Sequence, residues 1–89
     1  VEEVPETPLF EEDLKLITDE ELVWCIQQLP DGYRKVINLY IFEELSHKEI
    51  GALLGISTST SRTQYMRSKQ LMKRILKKSI PDLYERKLA

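Results

Sequence analysis

The chain has few of the residues that build disulfide frameworks and metal sites, and it has no long apolar run. Its 89 residues include one cysteine, Cys25, and one histidine, His47. A single cysteine excludes an internal disulfide framework and fits the reducing cytoplasm. A lone histidine without partners at ligand spacing gives no metal site. No apolar run reaches the roughly 18 residues of a membrane-spanning helix. We also find no glycine-rich phosphate loop and no Ser/His/Asp arrangement, so the sequence supports neither an enzyme nor a cofactor site.

Charge is abundant and is divided unevenly along the chain. Residues 1–29 hold nine acidic side chains and one lysine, whereas residues 57–89 hold nine basic side chains and two acidic ones. The formal net charge of −2 therefore hides a gradient. Such asymmetry between the two halves is typical of a polyanion-binding end joined to an acidic tail or linker.

Length and composition predict one small domain with tails. Residues 1–13 are acidic and contain Pro5 and Pro8, which favours a linker that is extended or disordered. We expect a helical domain over residues 14–80. Residues 81–89 form a C-terminal tail, for which the sequence leaves open a short helix or a frayed end.

Start and stop signals divide the domain into four helices, and strand signals are scarce, so the predicted fold class is all-α. Thr18 with Glu21 and Ser46 with Glu49 form two capping boxes. Gly55 is a C-terminal stop signal. The helices are expected over about Thr18–Leu29, Pro30–Glu43, Ser46–Leu54 and Ser57–Lys78.

The segment from Ser46 to about Met72 has the form of a helix-turn-helix. A short helix ends at Gly55, a two-residue turn follows, and a basic helix begins at once. Glycine suits so tight a turn because it adopts positive φ without steric cost, and Gly51 is expected where the two helices cross closely. The bracing helix and the turn should bury Ile50, Leu53, Leu54 and Ile56.

Helical spacing predicts which side chains of the last helix face the core. Residues recurring every three or four positions are Ser61, Tyr65, Ser68, Met72 and Ile75, with Leu71 and Leu76 at the edge. We expect Cys25 to fill the core and Trp24 to lie in the core or in an interface. His47 is expected to face solvent in the first turn of its helix.

The other face of the last helix is a stripe of one charge sign. Residues 57–78 contain seven basic side chains and no acidic one. A solvated face normally mixes both signs, so the stripe indicates a negative partner, with DNA phosphate first and an acidic protein second. Arg62 could bind guanine and Met66 a thymine methyl, while Arg67 and Lys69 are placed for phosphate. The hydroxyl run at residues 57–61 fits either a helix cap or phosphate contacts. The predicted DNA-binding residues are Ser57, Thr58, Ser59, Thr60, Arg62, Thr63, Met66, Arg67 and Lys69.

Two stretches resemble region 4 of bacterial RNA polymerase sigma factors, in the extracytoplasmic-function (ECF) group of the sigma-70 family. They are Leu29–Tyr40, which opens with Leu-Pro, and Leu45–Gly51, which is followed by Leu54–Ser57, Thr60 and Arg67. The resemblance implies a four-helix domain that binds the −35 promoter element through its last helix and docks on the β-flap of RNA polymerase. It also implies that the first helices and the apolar end of the last one contact polymerase or an anti-sigma factor. This chain departs from the family pattern at Gly51, Ser59, Ser61 and Ser68.

Two other functions stay open at this point. One is a LuxR-like output domain of a response regulator, which also binds DNA through a helix-turn-helix. The other is a helical interaction module whose basic helix binds an acidic protein, such as an anti-sigma factor.

Overall fold

The computed structural model describes residues 14–83 and 85–87. This part of the chain contains four α-helices and one 3-10 turn, joined by short turns and loops. The helices are α1 (Asp19–Gln27), α2 (Asp31–Ile41), α3 (His47–Leu54) and α4 (Thr58–Ser79), and the 3-10 turn is Glu85–Lys87. This part contains no strand, so the predicted all-α class is confirmed. The linker predicted over residues 1–13 lies outside the described residues. None of the described helices is long and apolar enough to cross a membrane.

Three of the helices begin at a hydroxyl cap. The Thr18 side chain accepts a hydrogen bond from the Glu21 N–H at 3.1 Å, and Glu21 Oε1 accepts one from the Thr18 N–H at 2.8 Å. Ser46 and Glu49 repeat this reciprocal pair, with distances of 3.0 and 3.1 Å. Ser57 caps α4 without a carboxylate partner. Both predicted capping boxes are therefore confirmed, and each satisfies backbone donors that the helix start would leave unpaired.

The turn between α3 and α4 depends on two glycines. Gly55 lies in the left-handed region, with φ of 71° and ψ of 33°, which an L side chain would strain. The Ile56 N–H donates to the Gly51 carbonyl at 2.9 Å, which folds the turn back on α3. A Cβ on Gly51 would lie 2.6 Å from the Ile56 carbonyl oxygen. The close crossing predicted at Gly51 is confirmed.

The core lies where α4 packs against the other three helices. Its buried apolar side chains are Cys25, Ile26, Leu29, Val36, Ile37, Ile50, Tyr65, Met72, Leu76 and Leu83. On α4, Ser61, Tyr65, Ser68 and Met72 are buried as predicted. Leu76, expected at the edge, is fully buried, whereas Ile75, expected on the core face, is half-buried.

The prediction that Leu53 is buried was wrong, because its side chain is 63% exposed. The face of α3 that turns toward α4 carries Ile50 and Gly51, both buried, and the half-buried Leu54. At 100° per residue, Leu53 lies about 110° around the helix from the middle of that face.

The C-terminal tail folds back onto α1. Leu83 is only 1% exposed, so it belongs to the core. Arg86 forms a two-pronged ion pair with Glu21 at 2.7 and 3.1 Å, and it donates to the Leu16 carbonyl at 3.1 Å. The packed domain thus extends past residue 80, where the sequence placed its boundary.

Candidate nucleic-acid interface

The first turn of α4 uses part of its hydroxyl run for its own structure. Ser57 Oγ accepts a hydrogen bond from the Thr60 N–H at 2.9 Å and donates to Thr60 Oγ1 at 2.8 Å. Thr63 Oγ1 donates to the Ser59 carbonyl one turn earlier, at 3.1 Å. The cap interpretation of Ser57 is therefore confirmed. Ser57, Ser59 and Thr60 are exposed at this end of the helix, and Thr58 is half-buried.

The next two turns of α4 carry four of the predicted DNA-binding side chains. Arg62 and Arg67 are exposed, and Thr63 and Met66 are half-buried between them. At 100° per residue these four positions fall within one side of the helix. Arg62 and Met66 also line a shallow hollow together with Tyr40, His47 and Tyr65. The structure thus gathers a cation, a thioether and a hydroxyl beside the start of a helix that carries no acidic residue.

Lys69 is placed differently from its prediction as a phosphate ligand. Its side chain is 5% exposed, and its Nζ lies 4.6 Å from the centroid of the Tyr65 ring. The long aliphatic stem lets lysine pack against the core while its ammonium lies over an aromatic face. Because the ammonium is directed at Tyr65, we leave Lys69 out of the DNA contacts proposed below.

The sequence predicted that His47 faces solvent, and the structure places it differently. The residue is half-buried, and its Nδ1 shares a hydrogen bond of 2.9 Å with Ser61 Oγ. Its ring stacks on Tyr40 at a centroid distance of 4.5 Å and an interplanar angle of 15°. The sequence alone did not reveal that His47 and Tyr40 lie beside α4. The signal that could have found them is Ser61, a polar residue on an apolar face, which requires a partner from another helix.

A second exposed surface lies at the opposite end of α4. Trp24 is 44% exposed and Val23 48% exposed, so Trp24 is not a core residue. Trp24 and Ile80 line an apolar hollow together with Glu20, Glu21 and Ser79. The pKa of Glu21 is lowered from 4.5 to about 2, first by the hydrogen bond from Arg86 and then by the one from the Thr18 N–H.

Residues that could have carried catalysis or metal binding have structural roles. Cys25 is fully buried, and the resulting desolvation raises its pKa to about 11, which keeps the thiol protonated and unreactive. Within residues 14–83 and 85–87 no group of three or more His, Cys, Asp or Glu residues is placed to hold a metal ion.

A short capped helix, a tight glycine turn and a basic second helix define the helix-turn-helix class of DNA-binding proteins. Residues 19–72, more than half of the chain, match the family described as "Sigma-70, region 4". The chain belongs to this family, and the predicted resemblance is confirmed. This membership decides against the response-regulator output domain.

Two curated relatives, one of them named as an ECF sigma factor, support membership of the ECF group. It is 30% identical over 63 residues to the ECF RNA polymerase sigma factor SigM of Bacillus subtilis (strain 168), a match covering 71% of this chain and 39% of that protein. It is 37% identical over 51 residues to the RNA polymerase sigma factor SigZ of the same organism, covering 57% of this chain and 29% of that protein. The chain therefore spans less than half the length of these relatives. No solved structure matches it significantly.

Proposed function

We propose that this chain is the promoter-recognition domain of a sigma factor, acting in the cytoplasm as part of transcription initiation. In this proposal α4 enters the major groove of the −35 element in double-stranded promoter DNA, and α3 braces it. The observation that carries the proposal is the exposure of Arg62 and Arg67 on a helix without acidic residues, directly after the turn at Gly55. DNA binds a basic helix face of this kind because each contact between a cation and a phosphate releases condensed counterions, which favours association.

The contacts divide into those that position the helix and those that read bases. The exposed hydroxyls of Ser59 and Thr60, with Ser57 and Thr58 beside them, suit phosphate oxygens at the groove edge. Arg62 suits the two acceptors of guanine, and Met66, with Thr63 beside it, suits a thymine methyl. Arg67 lies about one and a half turns of α4 beyond Arg62, and it suits a phosphate contact.

The Trp24 hollow supports a proposed docking site for the β-flap of core RNA polymerase. Its apolar side chains, Trp24 and Ile80, lie at the end of α4 away from the base-reading turns, and Val23 lines a neighbouring hollow that also includes Trp24. The domain could therefore bind polymerase and DNA at the same time. An anti-sigma factor that covered this hollow would compete with polymerase.

A selection experiment tests the DNA part. The 89-residue chain should enrich one motif from a library of random 20-bp duplexes, and fluorescence polarisation should then show tighter binding to that duplex than to a scrambled one. Arg62→Ala should reduce this preference, whereas Arg67→Ala should weaken both duplexes alike and reduce the salt slope by about 0.9 for one lost phosphate contact.

Lys78→Ala is the matched control, because it removes an equal charge from the far end of α4. It should leave the preference for the enriched duplex intact. Binding without enrichment, or binding that is independent of salt, would contradict the DNA proposal and favour an interaction module for an acidic protein.

Affinity for core RNA polymerase tests the docking part. Trp24→Ala should weaken binding about tenfold or more, since buried aromatic side chains dominate interface energetics. Phe42→Ala is the control, because Phe42 is also exposed, at 52%, but lies outside the hollow. Equal losses from the two variants would argue against the assigned surface.

A further inference from the structure

The N-terminal turns of α3 and α4 are joined by a polar contact between two side chains, His47 and Ser61. Ser61 is 0% exposed, and its Oγ shares the 2.9 Å hydrogen bond with His47 Nδ1. The two residues are 14 positions apart, on the bracing helix and the recognition helix. An apolar contact tolerates sliding, whereas a hydrogen bond weakens steeply as its geometry changes. This bond therefore restricts rotation of α4 against α3.

Aromatic packing holds the His47 ring in place from a third helix. Tyr40 of α2 stacks on His47, and it also lies against Tyr65 of α4, with a centroid distance of 4.3 Å. The His47 and Tyr65 centroids are 5.5 Å apart. Offset and tilted aromatic pairs at these distances are attractive beyond their burial. His47 is thus fixed by its neighbours rather than free to follow Ser61 if α4 turns.

The side chains proposed to read bases lie beside this contact. Arg62 follows Ser61 directly in sequence, and Arg62 and Met66 line the same hollow as His47 and Tyr40. A side chain reaching about 6 Å from the helix axis moves by about 1 Å when the helix rotates by about 10°. A displacement of that size is enough to misalign a bidentate contact between arginine and guanine.

We infer that His47 is a positioning residue for base reading: through its hydrogen bond to Ser61, it sets the rotation of α4 and hence the direction of Arg62. This inference rests on the proposed DNA-binding function and adds a residue to it. It predicts that breaking the bond lowers discrimination between sequences more than it lowers affinity for DNA in general, because phosphate contacts tolerate small rotations better than base contacts do.

The experiment compares two buried serines of the same helix. Ser61→Ala removes the bond to α3. Ser68→Ala removes a hydroxyl that is equally buried but donates to the Tyr65 carbonyl within α4, at 2.6 Å. Each 89-residue variant is titrated against the duplex selected by the wild-type chain and against its scrambled counterpart. Ser61→Ala should lower the ratio of the two affinities about tenfold, which lies within the range for losing a base contact. Ser68→Ala should leave the ratio within twofold.

Two substitutions at residue 47 separate the bond from the stack. His47→Asn keeps a hydrogen-bonding atom near the position of Nδ1 and should retain most of the discrimination. His47→Phe keeps a ring against Tyr40 and should lose discrimination as Ser61→Ala does. Because His47 is the chain's single histidine, its imidazole ¹⁵N resonances are assigned without ambiguity. The Nδ1 resonance should move in Ser61→Ala and stay in place in Ser68→Ala.

The outcomes distinguish the inference from the function on which it rests. A wild-type chain that binds both duplexes equally would overturn the proposed function. Discrimination by the wild-type chain that persists in Ser61→Ala would overturn the inference alone. Equal loss of discrimination in Ser61→Ala and Ser68→Ala would reduce His47 to a general packing role and would also overturn it.

Discussion

Leu83 should anchor the C-terminal tail. The substitution Leu83→Ala should therefore destabilise the whole domain. Its side chain is 1% exposed although it follows the last long helix. Leucine-to-alanine changes in cores cost about 2–5 kcal/mol, and the lower part of that range applies where the surroundings can collapse into the cavity. Leu83 lies in a turn after α4 and not within a helix, and a turn can relax in this way, so we expect a loss of about 2–3 kcal/mol in the free energy of unfolding. For a domain of this size that corresponds to a fall in Tm of roughly 10–20 °C.

Urea unfolding followed by circular dichroism at 222 nm measures this loss directly. Leu53→Ala is the matched control, because Leu53 is also a leucine but is 63% exposed. Surface substitutions of this kind change stability by less than about 0.5 kcal/mol. If Leu83→Ala were as stable as Leu53→Ala, the tail would not be part of the packed domain, and the boundary predicted at residue 80 would stand.

Three further predictions concern backbone, charge and thiol. Gly55→Ala should lower the free energy of unfolding by about 1–2 kcal/mol, because φ is 71° there. Gly32→Ala inside α2 should raise it by up to about 1 kcal/mol, because the added Cβ has no neighbour nearer than 3.9 Å. Equal effects of the two variants in urea unfolding would refute the argument. The pKa of Glu21 is lowered from 4.5 to about 2 in the folded chain. The ionised Glu21 carboxylate therefore contributes fully to stability above pH 4.5, and this stability is lost as the pH falls toward 2. Arg86→Ala should therefore destabilise the domain more at pH 7 than at pH 2, and a loss that does not change with pH would contradict the ion pair. Cys25, with its pKa raised to about 11, should resist iodoacetamide at pH 8 in the folded chain and react in urea; rapid alkylation without urea would show that the thiol is accessible.

Features set by neighbouring residues were predicted well from the sequence. The capping boxes at Thr18 and Ser46 and the left-handed turn at Gly55 each depend on a few consecutive residues. Local propensity and capping chemistry therefore suffice to place the helix starts and the turn. The helical period also predicted Ser61 and Ser68 on the core face, although serine is not an apolar residue.

Features that depend on residues far apart in sequence were predicted poorly. Arg86 and Glu21 are 65 positions apart, and His47 and Ser61 are 14 apart. Neither pair has a local signal, because each forms only when helices are already packed. The burial of Lys69 was missed for a related reason: charge alone predicts exposure, whereas the aliphatic stem of a lysine can pack over a tyrosine supplied by the fold.

The contact of Arg86 with Leu16 and Glu21 brings both ends of the described chain to one pole of the molecule, beside the C-terminal end of α4. Arg62 lies at the other pole, about 25 Å away at 1.5 Å per residue of helix. Within the described residues, the two ends thus lie together, and Arg62 lies far from both. A fluorophore attached at Leu16 or at Arg86 would therefore lie outside the surface that we propose binds DNA, and it could report on DNA binding without occupying that surface.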